Sequence, residues 1–235
     1  MARSNDMLTS PTSLWKNYRA VIFDCDDTIL ATAKTRWNAL IVTAAQFHVN
    51  LREATIRDAW GKPFDELIAD LLPNVSFDTF LPAYQQIMRQ FPPQPTLGAV
   101  DLLNRLQIYG VRMEIVTSSR QDLILQDLDA VGIEAFFANI WGHEQTAPYN
   151  KPDPRVLSPV LTQLEPFNIG RSLIVYVGDS VRDYAVAQGN EIDFIAVTSG
   201  LEGATAFHAA GVSETQIVSS LQELASIVTN AYSDH

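Results

Sequence analysis

The chain has 235 residues, of which 47% are hydrophobic and 18% charged, and its formal net charge is -11. That apolar share excludes a disordered chain, and the length suits one large domain or a core carrying a smaller inserted one. The negative charge would repel a phosphate backbone, so nucleic acid is not an expected partner.

In chain order, residues 1–13 lack the apolar centre of a signal peptide, and no run of about 18 uncharged apolar residues follows. A soluble, cytoplasmic protein without membrane association is expected. The first strand signal is Arg19 to Phe23, an apolar run that stops at the acidic cluster Asp24-Cys25-Asp26-Asp27-Thr28. Cys25 is the single cysteine and has no internal disulfide partner, which fits a reducing compartment.

From about Thr35 to Phe91 helical patterns follow one another without a convincing strand. Trp37, Leu40, Ile41, Ala44 and Phe47 share one face, as do Phe64, Leu67, Ile68 and Leu71, and then Phe77, Phe80, Leu81, Tyr84 and Met88. Asn50 with Glu53 resembles a capping box for a helix running to Trp60. A hinge near Leu30 to Lys34 and a Pro-rich return from Phe91 to Pro95 would tether this helical insertion, residues 34–95.

Strand signals then recur at Val111 to Val116, Ser172 to Val177 and Phe194 to Val197. Helical patterns separate them at Leu123 to Val131, Arg155 to Leu164 and Asp183 to Gln188. Short β-branched runs alternating with helices predict an α/β protein with a doubly wound, Rossmann-like parallel sheet, formed by residues 1–33 and 96–235.

Ligands of open α/β sheets bind at the carboxyl ends of the strands, so acidic and hydroxyl residues just after strand runs are candidates. Four such places occur: Asp24-x-Asp26-x-Thr28, Thr117-Ser118-Ser119, Lys151-Pro-Asp-Pro154, and Gly178-Asp179 followed by Asp183. Alone, each reads more readily as a helix cap or a turn than as a functional group. In this order and spacing they resemble the four-motif signature of the haloacid-dehalogenase-like superfamily, over about Ala20 to Val228.

The resemblance implies a Mg²⁺-dependent phosphatase that hydrolyses a small phosphorylated metabolite. Asp24 would be the nucleophile and carry the phosphoryl group; Asp26 would be general acid and then base. Thr117 and the Ser118 amide would bind phosphoryl oxygens, and Lys151 would offset their charge. The Asp24 and Asp179 side chains and the Asp26 carbonyl would hold the metal, with Asp183 in support. The helical insertion would be a mobile cap, and Trp60, Gly61 and Lys62, with Arg57, would stand where relatives carry a specificity loop.

Asp27 departs from the commonest family pattern, where glycine is usual, and Ala31 stands where an acidic residue often follows. Within the superfamily the chain looks most like the phosphoglycolate-phosphatase type. A β-phosphoglucomutase-like phosphomutase with the same site, and a catalytically silent binding protein on the same fold, are the alternatives. Dehalogenation is disfavoured because Asp26 has no role in it. A Schiff-base phosphonate hydrolase would need Lys34 or Lys62 as its lysine.

Overall fold

The β-branched runs become the centre of one parallel sheet in the computed structural model of the chain, which describes residues 15–91 and 93–233. The sequence reading of residues 1–13, and Pro92 of the Pro-rich return, lie outside the described residues. Six strands form: β1 (Ala20–Phe23), β2 (Arg112–Val116), β3 (Asn139–Trp141), β4 (Ile174–Gly178), β5 (Asp193–Val197) and β6 (Ile217–Val218). Their spatial order is 3-2-1-4-5-6 and every pairing is parallel. Strand order therefore reverses between β1 and β4, and the crevice at such a reversal is where doubly wound sheets bind ligands.

Five helices lie between β1 and β2, and the first four form a layer of their own: α1 (Ala33–Gln46), α2 (Glu53–Ala59), α3 (Phe64–Leu71) and α4 (Phe77–Met88). Their apolar faces meet each other, with Leu40, Ile56, Ile68, Phe80 and Tyr84 in a hydrophobic cluster separate from those of the sheet. Then come α5 (Ala99–Ile108), α6 (Gln121–Ala130), α7 (His143–Thr146), α8 (Ser158–Leu164), α9 (Val181–Gly189), α10 (Ala204–Ala210) and α11 (Leu221–Ser233).

Side chains alternate across β1. Val21 and Phe23 pack with residues of α5, α6 and α11 on one face, while Ala20 and Ile22 pack with α8, α9 and α10 on the other. Both faces are covered, which is why the strand reads as an unbroken apolar run. Each fully buried aliphatic or aromatic side chain contributes about 1.5–3 kcal/mol, so a shift of register would be heavily penalised and the strand ends are fixed.

Three local expectations need correction. Asn50 does not cap α2: the helix starts at Glu53 with Arg52 at its N-cap and no side-chain cap bond, and it ends at Ala59. The helix expected from Arg155 to Leu164 is split into a 3₁₀ turn, Pro154–Leu157, and α8, because Pro159 has no N–H to continue the ladder. Strands β3 and β6 escape the sequence reading because they have three and two residues. The β3 edge is held instead by Glu114, a fully buried carboxylate on β2 that accepts from Arg112 Nε, Asn139 Nδ2 and Trp141 Nε1 at 2.7, 3.2 and 3.0 Å.

Candidate active site

The register of β1 places Asp24. Phe23 is level with Val177 and Ile115, and the Asp24 N–H continues the ladder to the Val177 carbonyl at 2.9 Å. The buried Asp24 carboxylate thus sits at the strand-order reversal. Asp179 comes one residue after β4, and Asp183 lies in the first turn of α9, whose N-cap Ser180 donates its hydroxyl to Asp183 Oδ2 at 2.6 Å. Tyr176 donates to Asp183 Oδ1 at 2.9 Å. Residues separated by up to 159 positions therefore meet: one carboxylate oxygen each of Asp24, Asp179 and Asp183 lies within 4.8 Å of the other two.

Lys151 reaches the same cluster from the turn before the 3₁₀ segment, where Asp153 accepts the Arg155 N–H at 2.9 Å as expected of a cap. Its Nζ stands 2.5 Å from Asp24 Oδ1 and 2.7 Å from Asp183 Oδ1. Burial alone would lower the ammonium's pKa, but Asp183 and Asp24 outweigh that and hold it well above its ordinary value. Asp179 is fixed by Thr28, which donates to Oδ1 at 3.2 Å, and by the Leu201 N–H, which donates to Oδ2 at 2.9 Å. Only glycine fits at position 200, since a Cβ there would overlap the Asp179 carboxylate.

Three carboxylates face one ammonium, and like charges about 4 Å apart repel by about 4 kcal/mol at an effective dielectric of 20. Burial, opposed by Lys151 and reinforced by Asp183 and Asp26, raises the Asp24 carboxyl to about 7. Burial, then Asp24 and Asp183, push Asp179 well above the usual carboxylate range. A group of buried, hard oxygen donors short of positive charge fits a small divalent cation. Asp183, expected only in support, is an equal member of this triad.

Asp26 lies beside the cluster and its carboxylate is saturated with donors. Oδ1 accepts from the Thr32 hydroxyl at 2.7 Å and pairs with Arg36 Nη1 at 2.7 Å; Oδ2 accepts from Ser119 at 2.6 Å and Thr117 at 3.4 Å. The Thr117 hydroxyl in turn accepts the Ser119 N–H at 3.0 Å, while Ser118 lines the cleft. Asp27 occupies the left-handed region with φ 60°, which explains why glycine suits this position and why an aspartate is tolerated. Its Oδ1 accepts the N–H groups of Thr32 and Ala33 at 3.1 and 3.0 Å, so it caps the start of α1. Cys25 is buried in the apolar core just after the central strand β1, and burial together with Asp26 and Asp24 keeps its thiol pKa high, which rules against a thiolate nucleophile.

A cleft of about 540 Å³ opens above these groups, and the helical layer forms its other wall. The loop between α2 and α3 supplies Trp60, Gly61 and Lys62 to that wall. Trp60 is half-buried and stacks edge-on against Trp37 at 5.7 Å, so it is both packing element and cleft lining. Lys62 is exposed and pairs with Asp70 at 2.5 Å. Arg57 lies over the Trp37 ring at 5.3 Å. Gly61 has φ +87° and a Cβ there would come within 2.6 Å of the Arg182 guanidinium, which reaches over from α9 and also donates to the Lys151 carbonyl. Lys34 is exposed and does not line the cleft.

The sequence reading assigned no role to Arg36, Ser119, Asp127 or Arg182. Arg36 carried a signal: it falls on the buried stripe of α1 with Leu40 and Thr43, where an unpaired arginine would not be tolerated. Ser119 stood inside the Thr117-Ser118-Ser119 motif and Arg182 beside Asp183, but nothing in their spacing marked a role for either.

A family model described as haloacid dehalogenase-like hydrolase matches residues 21–197. The chain belongs to that family, and it is an enzyme of the hydrolase class. A phosphoglycolate phosphatase from Caulobacter vibrioides is 26% identical over 200 residues, covering 78% of this chain and 81% of its own. The solved structure of a haloacid dehalogenase-like family hydrolase from Streptococcus pneumoniae superposes with a TM-score of 0.68 at 20% identity, over 89% of this chain and 98% of that one. That of a predicted phosphoglycolate phosphatase from Haemophilus somnus superposes at 0.73 and 16% identity, over 90% and 98%. At these identities the structural likeness is one of fold, and it bears out the Rossmann-like α/β class. No helix among the described residues is long and apolar enough to cross a membrane.

Proposed function

We propose that the protein is a Mg²⁺-dependent phosphatase that hydrolyses a small phosphate monoester through an aspartyl-phosphate on Asp24. The observation that carries this reading is the convergence of Asp24, Asp179 and Asp183 on one point with the Lys151 ammonium against two of them. The phosphatase relatives support the same reaction class.

An Asp24 carboxylate oxygen attacks phosphorus and the bond to the leaving oxygen breaks, while Asp26 gives that oxygen a proton. Water then attacks phosphorus, Asp26 takes its proton, and the bond to Asp24 breaks to release phosphate. Thr117, the Ser118 amide and Lys151 hold the phosphoryl oxygens throughout. Asp24, Asp179 and the Asp26 carbonyl, with Asp183, would hold Mg²⁺, which when bound neutralises charge on the carboxylates and the phosphoryl oxygens.

In this reading residues 34–95 are a cap over a core formed by 1–33 and 96–235. Trp60, Gly61 and Lys62 on the cap, with Arg57, meet the leaving group and exclude water on closure. The partner is a small phosphorylated metabolite, and the location in this reading is cytoplasmic. The test is release of phosphate from a panel of phosphorylated metabolites and p-nitrophenyl phosphate, with Mg²⁺ or with EDTA. Turnover that needs Mg²⁺ and vanishes in Asp24→Asn supports the assignment; equal rates for mutant and wild type would end it.

A further inference from the structure

Arg36 is a buried guanidinium to which the reaction above assigns no part. It projects from α1 and is 6% exposed. Nη1 lies 2.7 Å from Asp26 Oδ1 and donates to Ser119 Oγ at 2.9 Å, while Nη2 donates to Asp127 Oδ2 at 2.7 Å. Asp127 belongs to α6 and does not line the active-site cleft; it lines a second cavity of about 210 Å³ between α4 and α6. Asp26, Arg36 and Asp127 therefore form an ion triad around one buried guanidinium, and it bears on the orientation of the Asp26 carboxylate.

A guanidinium is a planar fork, so fixing one nitrogen fixes where the other points. With Nη2 held by Asp127, Nη1 has one direction left, and that direction is Asp26 Oδ1. The hydroxyls of Thr32 and Ser119 complete the grip on the two Asp26 oxygens. A lysine in place of Arg36 could reach one carboxylate as a point charge but could not bridge both with fixed angles.

We propose that Arg36 is a positioning residue for Asp26 and that Asp127, outside the cleft, sets the direction of Arg36. This rests on the phosphatase reading and adds to it a residue pair through which α6 governs proton delivery to the leaving group. The bland alternative is a strut that merely ties α1 to α6.

Leaving-group dependence separates the two. An alkyl phosphate leaves as a basic alkoxide and needs the acid; p-nitrophenyl phosphate leaves as a weakly basic phenolate and hardly needs it. The variants are Asp127→Asn, which keeps shape and removes the charge, and Arg36→Lys, which keeps the charge and removes the fork. Both are assayed with Mg²⁺ on p-nitrophenyl phosphate and on the alkyl phosphate the metabolite panel ranks highest. The expected result is a fall in kcat of about 10- to 100-fold on the alkyl ester and under about threefold on the aryl ester, within the range that general acid catalysis contributes. Equal losses on both esters, or none, in the variants that fold would overturn the inference while leaving the phosphatase reading intact. A wild-type protein inert toward both esters would overturn both.

Discussion

The two walls of the cleft are built by different means. On the sheet side, Asp24, Thr117 and Asp179 follow β1, β2 and β4 directly, so backbone register places them and each functional group is one residue past an apolar run. On the helical side, Trp37, Trp60 and Lys62 are placed by how α1, α2 and α3 pack on one another, with no shared ladder. The first wall tolerates no slip, because a shift of one residue would turn every strand side chain to the wrong face. The second can change side chains or tilt while its own core persists. The difference predicts where chemistry and where selection reside.

The sharpest test sets one wall against the other. Asp24→Asn is expected to lower kcat by at least about 10³-fold, as removal of a covalent nucleophile does. Trp60→Ala and Lys62→Ala are expected to change mainly KM, by less than about tenfold, and kcat far less than Asp24→Asn does, because neither side chain reaches the carboxylate cluster where bonds are exchanged. Steady-state kinetics on one substrate reads both. A kcat loss in Trp60→Ala comparable to that in Asp24→Asn would break the division.

Lys151→Ala comes next. It removes the ammonium paired with Asp24 and Asp183, and is expected to lower kcat by about 10²- to 10³-fold through lost stabilisation of phosphoryl charge. Gly200→Ala probes the same wall more gently. The new Cβ must displace the Asp179 carboxylate, so Mg²⁺ affinity is expected to fall by about 10- to 100-fold, as when a metal ligand's support is removed. Titration of Mg²⁺ against activity measures it; an unchanged midpoint would mean that Asp179 is not a ligand.

How much was legible beforehand follows the same line. Three of the four motifs could be read because apolar runs announce strands, strands announce their carboxyl ends, and polar residues there have few other reasons to cluster; the remaining one, at Lys151, announces itself as a Pro-bracketed turn opening a helical segment. Asp24, Asp179, Asp183 and Lys151 do come together. Arg36 and Asp127 stayed hidden because their partner choice depends on the packing of α1 over α6, which no local spacing encodes. Asn50 misled because a capping pattern fixes a helix start only when the backbone between agrees, and the chain enters α2 at Arg52 instead. Trp60, expected in the loop between two helices of the insertion, both packs on Trp37 and lines the cleft.

The smallest expected effect concerns stability and pH. In the metal-free protein Asp24 titrates near 7, Asp27 near 6, with burial the leading cause in each, and Asp179 also lies high. An unfolded aspartate titrates near 3.9. Between about pH 4 and 7 the folded state therefore binds more protons than the unfolded one, and linkage requires stability to fall as pH rises across that window. The contribution is complete below the unfolded pKa and is lost as pH passes the raised values. Mg²⁺ binds the ionised carboxylates, so its stabilisation must grow with pH over the same range. In EDTA the thermal midpoint is expected to drop by about 10 °C from pH 5 to pH 8, at about 2–4 °C per kcal/mol for a chain of this size. With millimolar Mg²⁺ the drop should shrink or reverse, and Asp179→Asn, which removes one carboxylate from the cluster, should flatten both curves. A metal-free midpoint that climbs steadily over this range would mean that Lys151 alone satisfies the carboxylates, and the sheet wall would then have no need of a metal.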